Sequence, residues 1–383
     1  MSAAADIQPF QIQVDDAELD DLRQRLRLTR YPEKETPDDW SQGIPLEWVR
    51  SMASYWETEY DWRTCEQALN ALPQFITTLD GLDIHFLHIR SEVEGARPLL
   101  LTHGWPGSIL EFRKVIGPLT DPEAHGGRRE DAFHLVCPTL PGFGWSGKPT
   151  RPGWGIPHIA TQWDALMRRL GYERYLAQGG DWGAVVTSTI GMQNLGACAG
   201  IHVNMAVVTP DPDTMENLQE DEVDALAGMQ HYQEWDSGYS KQQSTRPQTL
   251  GYGLVDSPVG QMAWILEKFW AWTDCDGHPE NVLTKDELLD NVMMYWLPAA
   301  GASSGRIYWE SFGNMTMDPI NVPSAISVFP KEIFRTSKRW AEKRFTDLRF
   351  FERHSKGGHF AAMERPEVLV ADIRAAFDRM RED

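Results

Sequence analysis

Residues 175–183 read Tyr175-Leu176-Ala177-Gln178-Gly179-Gly180-Asp181-Trp182-Gly183. An apolar run enters a glycine-rich turn, and a helix-compatible stretch, Ala184 to Met192, follows. Small residues at −2 and +2 are what a sharp strand-to-helix elbow needs if its central side chain is to stand clear above a sheet. The central residue is Asp181, not serine. A carboxylate can be a covalent nucleophile and leave an ester, but Asp is also a favoured helix N-cap. On this segment alone both readings stand.

Outward from the elbow, the same texture repeats. Leu99–Thr102 runs into His103-Gly104-Trp105-Pro106-Gly107, and Phe133–Cys137 into Pro138-Thr139-Leu140-Pro141-Gly142-Phe143-Gly144. Gly200–Met205, Ala325–Phe329 and Leu348–Glu352 are further short apolar runs, and a last helix is expected from about Pro366. Strands alternating with helices imply an α/β core with a mostly parallel sheet and its loops gathered at the carboxyl ends of the strands. Residues 1–95 read as a mostly helical extension. Leu19, Leu22 and Leu26 lie on one helix face behind Asp15 as a candidate N-cap, and Pro32 is expected to end that helix. Asp80-Gly81 signals a hairpin. Residues 206–318 break the α/β rhythm with proline, acidic residues and helical apolar patterns. The division expected is an extension at 1–95, a core at 96–205 and 319–383, and a helical cap at 206–318.

Composition narrows the partners. Lys and Arg total 36 against 56 Asp and Glu, a net charge of −20. That argues against nucleic acid, whose phosphates need basic neutralisation, and against an anionic membrane surface. No run of about 18 apolar residues suggests a membrane span, and Met1 to Asp16 shows no leader pattern. Cys65, Cys137, Cys198 and Cys275 are scattered without metal-ligand spacing, as expected of free thiols in the cytoplasm. Sixteen tryptophans are many for this length and raise the expectation of an aromatic-walled pocket beside ordinary core packing.

A second candidate elbow, Gly301-Ala302-Ser303-Ser304-Gly305, matches G-x-S-x-G formally but lacks a preceding strand, and we expect a flexible loop there. For a base, His359 stands in Lys356-Gly357-Gly358-His359, just past an expected strand end, where such a group belongs. Glu332 follows Ala325–Phe329 in the same way, whereas Asp347 falls at a strand start, on the wrong face. The order Asp181, Glu332, His359 is nucleophile, acid, base, as in α/β-hydrolases.

With these residues in view, the chain resembles the microsomal-type epoxide hydrolases of the α/β-hydrolase superfamily, in their soluble bacterial and fungal form, over essentially its whole length. The resemblance rests on His103-Gly104-Trp105-Pro106-Gly107-Ser108, Gly142-Phe143-Gly144-Trp145-Ser146, the Asp elbow, Ser237-Gly238-Tyr239, Ser244 to Thr249, Asp256 to Gly260, and Glu267-Lys268-Phe269. It implies an α/β-hydrolase fold and a reaction of epoxide with water to give a vicinal diol through an alkyl ester on Asp181. It implies His359, oriented by Glu332, as the base, and the N–H groups of Trp105 and Trp182 as the oxyanion hole. Tyr239 and Tyr308 are implied as the cap donors, with Tyr252 the nearest rival to the second, and Tyr232 and Tyr295 expected only to pack. No cofactor or metal is implied. The partner is a small-molecule epoxide, with the aromatic-rich cap pointing to a bulky or aryl one, and a homodimer is a family-level expectation. Two alternatives remain. A haloalkane dehalogenase uses the same Asp–acid–His logic and often carries Trp after the nucleophile, and a non-catalytic binding protein can share the fold.

Overall fold

The alternating apolar runs become one nine-stranded sheet in the computed structural model, which describes residues 7–381. The strands are β1 (Gln8–Pro9), β2 (Gln74–Leu79), β3 (Leu82–Ile89), β4 (Arg97–Thr102), β5 (Phe133–Pro138), β6 (Tyr175–Gly179), β7 (Cys198–Val203), β8 (Ser324–Val328) and β9 (Leu348–Arg353). Their order is β1-β2-β3-β5-β4-β6-β7-β8-β9. From β5 to β9 every pairing is parallel, while β1, β2 and β3 add antiparallel strands at one edge. The central strands β4 and β6 are buried nearly throughout, as a parallel sheet covered on both faces requires. Helices Ile156–Arg169, Asp181–Gln193 and Pro366–Asp378 supply the covering layers. This is the α/β-hydrolase fold, with the acidic and basic loops at the carboxyl ends of β8 and β9.

The N-terminal region is less helical than its sequence suggests. It has helices at Asp16–Arg27, Leu46–Thr58 and Trp62–Asn70, but its hairpin is continuous with the core sheet. Asp80 and Gly81, with φ of 44° and 78°, form the left-handed turn that the Asp-Gly pair favours. The first helix stops at Leu28, whose N–H closes on the Gln24 carbonyl, four residues ahead of Pro32; the proline is not what ends it. Asp15 is its N-cap by position but makes no side-chain capping bond. The first six residues of the stretch read for a leader lie outside those described.

Residues between β7 and β8 form a helical cap that the N-terminal helices clasp. Trp40 stacks on Trp270 at 4.9 Å, the Trp48 indole donates to Glu280 at 2.8 Å, and Tyr60 donates to Asp290 at 2.7 Å. The cap in turn braces a core loop. On the helix Lys285–Trp296, Asn291 donates to the Pro106 carbonyl at 2.8 Å and accepts from Ser108 at 2.9 Å, while Tyr295 donates to the Gly107 carbonyl at 2.6 Å. Tyr295 therefore does more than pack. The Ser303 segment is not flexible: Ser303 and Ser304 are buried, and Ser303 donates to the Gly142 carbonyl at 2.6 Å. A turn after the Lys285–Trp296 helix, not a strand, presents it, so its hydroxyl serves the turn at Gly142. All four cysteines are free and buried. Among the described residues no helix is long and apolar enough to cross a membrane.

Candidate active site

Asp181 sits between β6 and the helix Asp181–Gln193 with φ +50°, a left-handed backbone that non-glycine residues rarely adopt. Strain of this kind persists where surrounding structure enforces it, and it lifts the carboxylate above the sheet. The flanking glycines are obligatory. A Cβ on Gly179 would run into the carbonyl of Gly183, and one on Gly183 into that of Thr102. The local sequence thus forces the turn, and the N-cap reading gives way: the residue before the helix is Gly180, not Asp181.

The carboxylate is held on both oxygens. The backbone N–H of Trp105 donates to Oδ1 at 2.8 Å, and Nε2 of His359 stands 3.2 Å from Oδ2. Nδ1 of His359 meets Oε1 of Glu332 at 2.6 Å. The loops that carry this pair are joined by a backbone bridge between Lys331 and Gly358. The His359 N–H also donates to the Trp272 carbonyl of the cap at 2.9 Å. Burial works against the imidazolium, yet the Glu332 and Asp181 carboxylates outweigh it and hold the ring well above the ordinary histidine range. Two further carboxyls lie close enough to feel His359: burial pushes Glu111 up to about 8 and Glu364 up to about 7, so near neutral pH Glu111 is mostly protonated and Glu364 is divided between its two forms. Trp182, the residue after Asp181, lies in the first turn of the helix, where backbone N–H groups have no intrahelical acceptor. Its indole lies edge-on to Tyr308 at 4.8 Å.

Above Asp181 the cap brings two buried tyrosines together. Tyr239 stacks on Trp105 at 4.9 Å with 9° between the planes, and the Tyr239 and Tyr308 rings lie 5.7 Å apart. Burial, reinforced by the Asp181 charge, raises both phenols well above the ordinary tyrosine range, so they stay protonated. The Tyr308 hydroxyl is buried with no hydrogen-bond partner among the described residues, a costly state for a donor unless a ligand completes it. The rival Tyr252 is 68% exposed and takes no part. So the structure gathers Asp181, Glu332, His359, Tyr239, Tyr308, Trp105 and Trp182 at one point. Sequence reasoning missed Tyr232, whose hydroxyl is 3.1 Å from that of Tyr239. It also missed Trp272 and Asp236 and gave Lys268, quoted only within a motif, no role; the three form one cluster, with Lys268 Nζ 2.5 Å from Asp236 and the Trp272 indole donating to the same carboxylate at 2.5 Å. The available signal was Glu267-Lys268 inside the largely apolar helix Pro258–Trp272, since charges in such a helix are buried only when paired. Among the described residues no His, Cys, Asp and Glu cluster could hold a metal ion.

An α/β-hydrolase fold with a carboxylate at the elbow and paired phenols in a cap defines a class of enzymes that open reactive carbon centres through an ester. Comparison with known proteins narrows it. Residues 7–112 match the family model for the epoxide hydrolase N terminus, and residues 97–244 match that for the alpha/beta hydrolase fold. The chain is 51% identical to a putative epoxide hydrolase of Stigmatella aurantiaca over 98% of its length and 86% of the relative's. It is 35% identical to epoxide hydrolase 1 of Oryctolagus cuniculus, covering 96% and 88% of the two chains. The solved Aspergillus niger epoxide hydrolase superposes with a TM-score of 0.90 at 35% identity over 99% of this chain and 98% of that one. The juvenile hormone epoxide hydrolase of Bombyx mori gives 0.90 at 30% identity over 98% and 95%. The chain belongs to the epoxide hydrolase family, and its substrate is a small-molecule epoxide.

Proposed function

We propose that Asp181 is the nucleophile of a two-step epoxide hydrolysis. The observation that carries this reading is a carboxylate at a strained elbow, with a backbone N–H on one oxygen and an imidazole on the other, beneath two protonated phenols. Oδ2 attacks an epoxide carbon, the carbon–oxygen bond breaks with its electron pair on oxygen, and Tyr239 or Tyr308 delivers the proton. Oδ1 becomes the ester carbonyl and already faces the Trp105 N–H; the Trp182 N–H is the second donor for the oxyanion formed when water attacks. His359, oriented by Glu332, takes the proton of that water. On breakdown the imidazolium gives its proton to the departing diol oxygen, and the acid proton left on Asp181 returns to the phenolate, which releases the diol and restores the carboxylate.

The chain is organised for this as an extension (1–95), a split core (96–205 and 319–383) and a cap (206–318). Trp105, Trp182, Trp272 and Phe312 crowd the cap tyrosines, which supports an aryl or otherwise bulky epoxide as substrate. Free buried cysteines support a cytoplasmic location. The paired phenols favour an epoxide over a haloalkane, because a departing halide needs no proton. Diol release from styrene oxide and larger aryl epoxides, beside halide release from haloalkanes of similar size, tests the reading. Halide release without diol would overturn it.

The two phenols share one task, so single substitutions have graded effects. Tyr239→Phe is expected to slow ester formation by about 10²-fold, with Tyr308→Phe acting in the same direction. Rapid-quench measurement of the ester would show this, and parental rates in both variants would remove the tyrosines from the mechanism.

A further inference from the structure

Tyr232 has a hydroxyl in contact with the machinery and no role in the steps above. It opens a π-helical turn, Tyr232–Asp236, at the end of the helix Glu220–His231. Such turns recur at functional sites, because one extra residue re-aims the side chains around it. Here the turn delivers both of its ends toward the same ring. Tyr232 is 8% exposed and its oxygen lies 3.1 Å from that of Tyr239. Asp236, at the other end, holds Lys268, whose ammonium stands 4.8 Å from the centroid of the Tyr239 ring. The Tyr232 ring itself rests on Phe334 at 5.1 Å, close in sequence to Glu332.

A phenol has one proton to give, and its oxygen can also accept. If Tyr239 gave its proton to Tyr232, none would remain for an epoxide oxygen. The reverse arrangement leaves the Tyr239 proton free and fixes the direction in which it points. We propose that Tyr232 is a positioning residue that donates to the Tyr239 oxygen, aims the Tyr239 proton at the substrate, and holds the phenolate that remains after transfer. This rests on the reading of Tyr239 as a proton donor. As the carbon–oxygen bond breaks, the proton of Tyr239 moves to the departing oxygen and the electron pair of its O–H bond stays on Tyr239. The hydrogen bond from Tyr232 then becomes charge-assisted, stronger in the transition state than before it. The Lys268 cation over the same ring acts in the same sense.

Tyr232→Phe keeps the ring on Phe334 and deletes one oxygen. In single-turnover reactions the variant is expected to form the Asp181 ester about 10–100-fold more slowly, with ester hydrolysis at the parental rate. The loss should shrink for epoxides bearing electron-withdrawing substituents, whose oxygen departs with less help from a proton. A packing defect would slow every epoxide alike. Ester formation at the parental rate, or a loss indifferent to the substituent, would overturn the assignment of Tyr232. Tyr239→Phe, run beside it, separates the two levels. Parental ring opening in that variant removes the donor role of Tyr239 itself, whereas a slow Tyr239→Phe with a parental Tyr232→Phe removes only the inference about Tyr232.

Discussion

Asp181→Asn is expected to lower diol formation by about 10⁴–10⁶-fold, the range seen when a nucleophile is removed from an otherwise intact hydrolase site. Asn is the informative replacement. It tolerates the left-handed backbone that Asp181 adopts at φ +50°, and its amide oxygen can still accept the Trp105 N–H. Loss of activity then reports loss of the nucleophile and not collapse of the elbow. Asp181→Ala removes both features and should be less stable as well as inactive. Two measurements decide the matter. Intact-mass analysis of the parent mixed with excess epoxide should show one adduct, on the peptide holding Asp181, and none in Asp181→Asn. In water labelled with heavy oxygen, the first diol released should carry an unlabelled oxygen from the carboxylate, and label should enter Asp181. An adduct on Ser303, or direct incorporation of labelled oxygen into the first diol, would sink the ester mechanism. Ser303 is a poor competitor because its hydroxyl is already donated to the Gly142 carbonyl.

How much of this was legible follows from which interactions are local. The elbow was readable because its requirements are steric and fall within nine consecutive residues, with glycines where no Cβ fits. The hairpin at Asp80-Gly81 was readable for the same kind of reason. His359 and Glu332 were found from strand-end positions, because the sheet brings the carboxyl ends of its strands together wherever they lie in the chain. The cap obeys no such rule. Tyr232 and Tyr239 are separated by a π-helical turn that a regular 3.6-residue period does not anticipate, so Tyr232 read as packing. The partners of Lys268 were equally hidden, since its pairing with Asp236 depends on how two cap helices cross. Pro32 misled in the other direction. A proline marks where a helix cannot continue, but this helix had already closed at Leu28.

His359→Gln separates the two halves of the reaction, and its expected signature is accumulation. Ring opening needs Asp181 as a free carboxylate and the phenols protonated. The substitution removes the Nε2 contact to Oδ2 but leaves the Trp105 N–H on Oδ1 and both phenols in place, so the ester should still form within about tenfold of the parental rate. Hydrolysis of that ester needs a base, and its rate should fall by about 10⁴–10⁶-fold, leaving most of the protein alkylated. The same logic predicts how the parent responds to pH. In the free enzyme two carboxylates stabilise the imidazolium, with Glu332 at 2.6 Å from Nδ1 and Asp181 at 3.2 Å from Nε2. Alkylation makes Asp181 a neutral ester and removes one of them. Burial, which opposes the charged ring, then weighs more heavily, and the pKa of His359 drops just as its neutral form is required. Hydrolysis should therefore slow as the pH falls and the ring of the alkyl-enzyme takes up a proton, while ring opening, which needs no neutral imidazole, should lose less. Acid quench at successive times across a pH series would show ester building up on the acidic side. If His359→Gln released diol at the parental rate with no adduct, or if acid slowed ester formation first, His359 would not be the base of the second step. Glu332 enters this argument as the charge that remains. With Asp181 neutralised, it alone holds the tautomer that leaves Nε2 free to accept the proton of water.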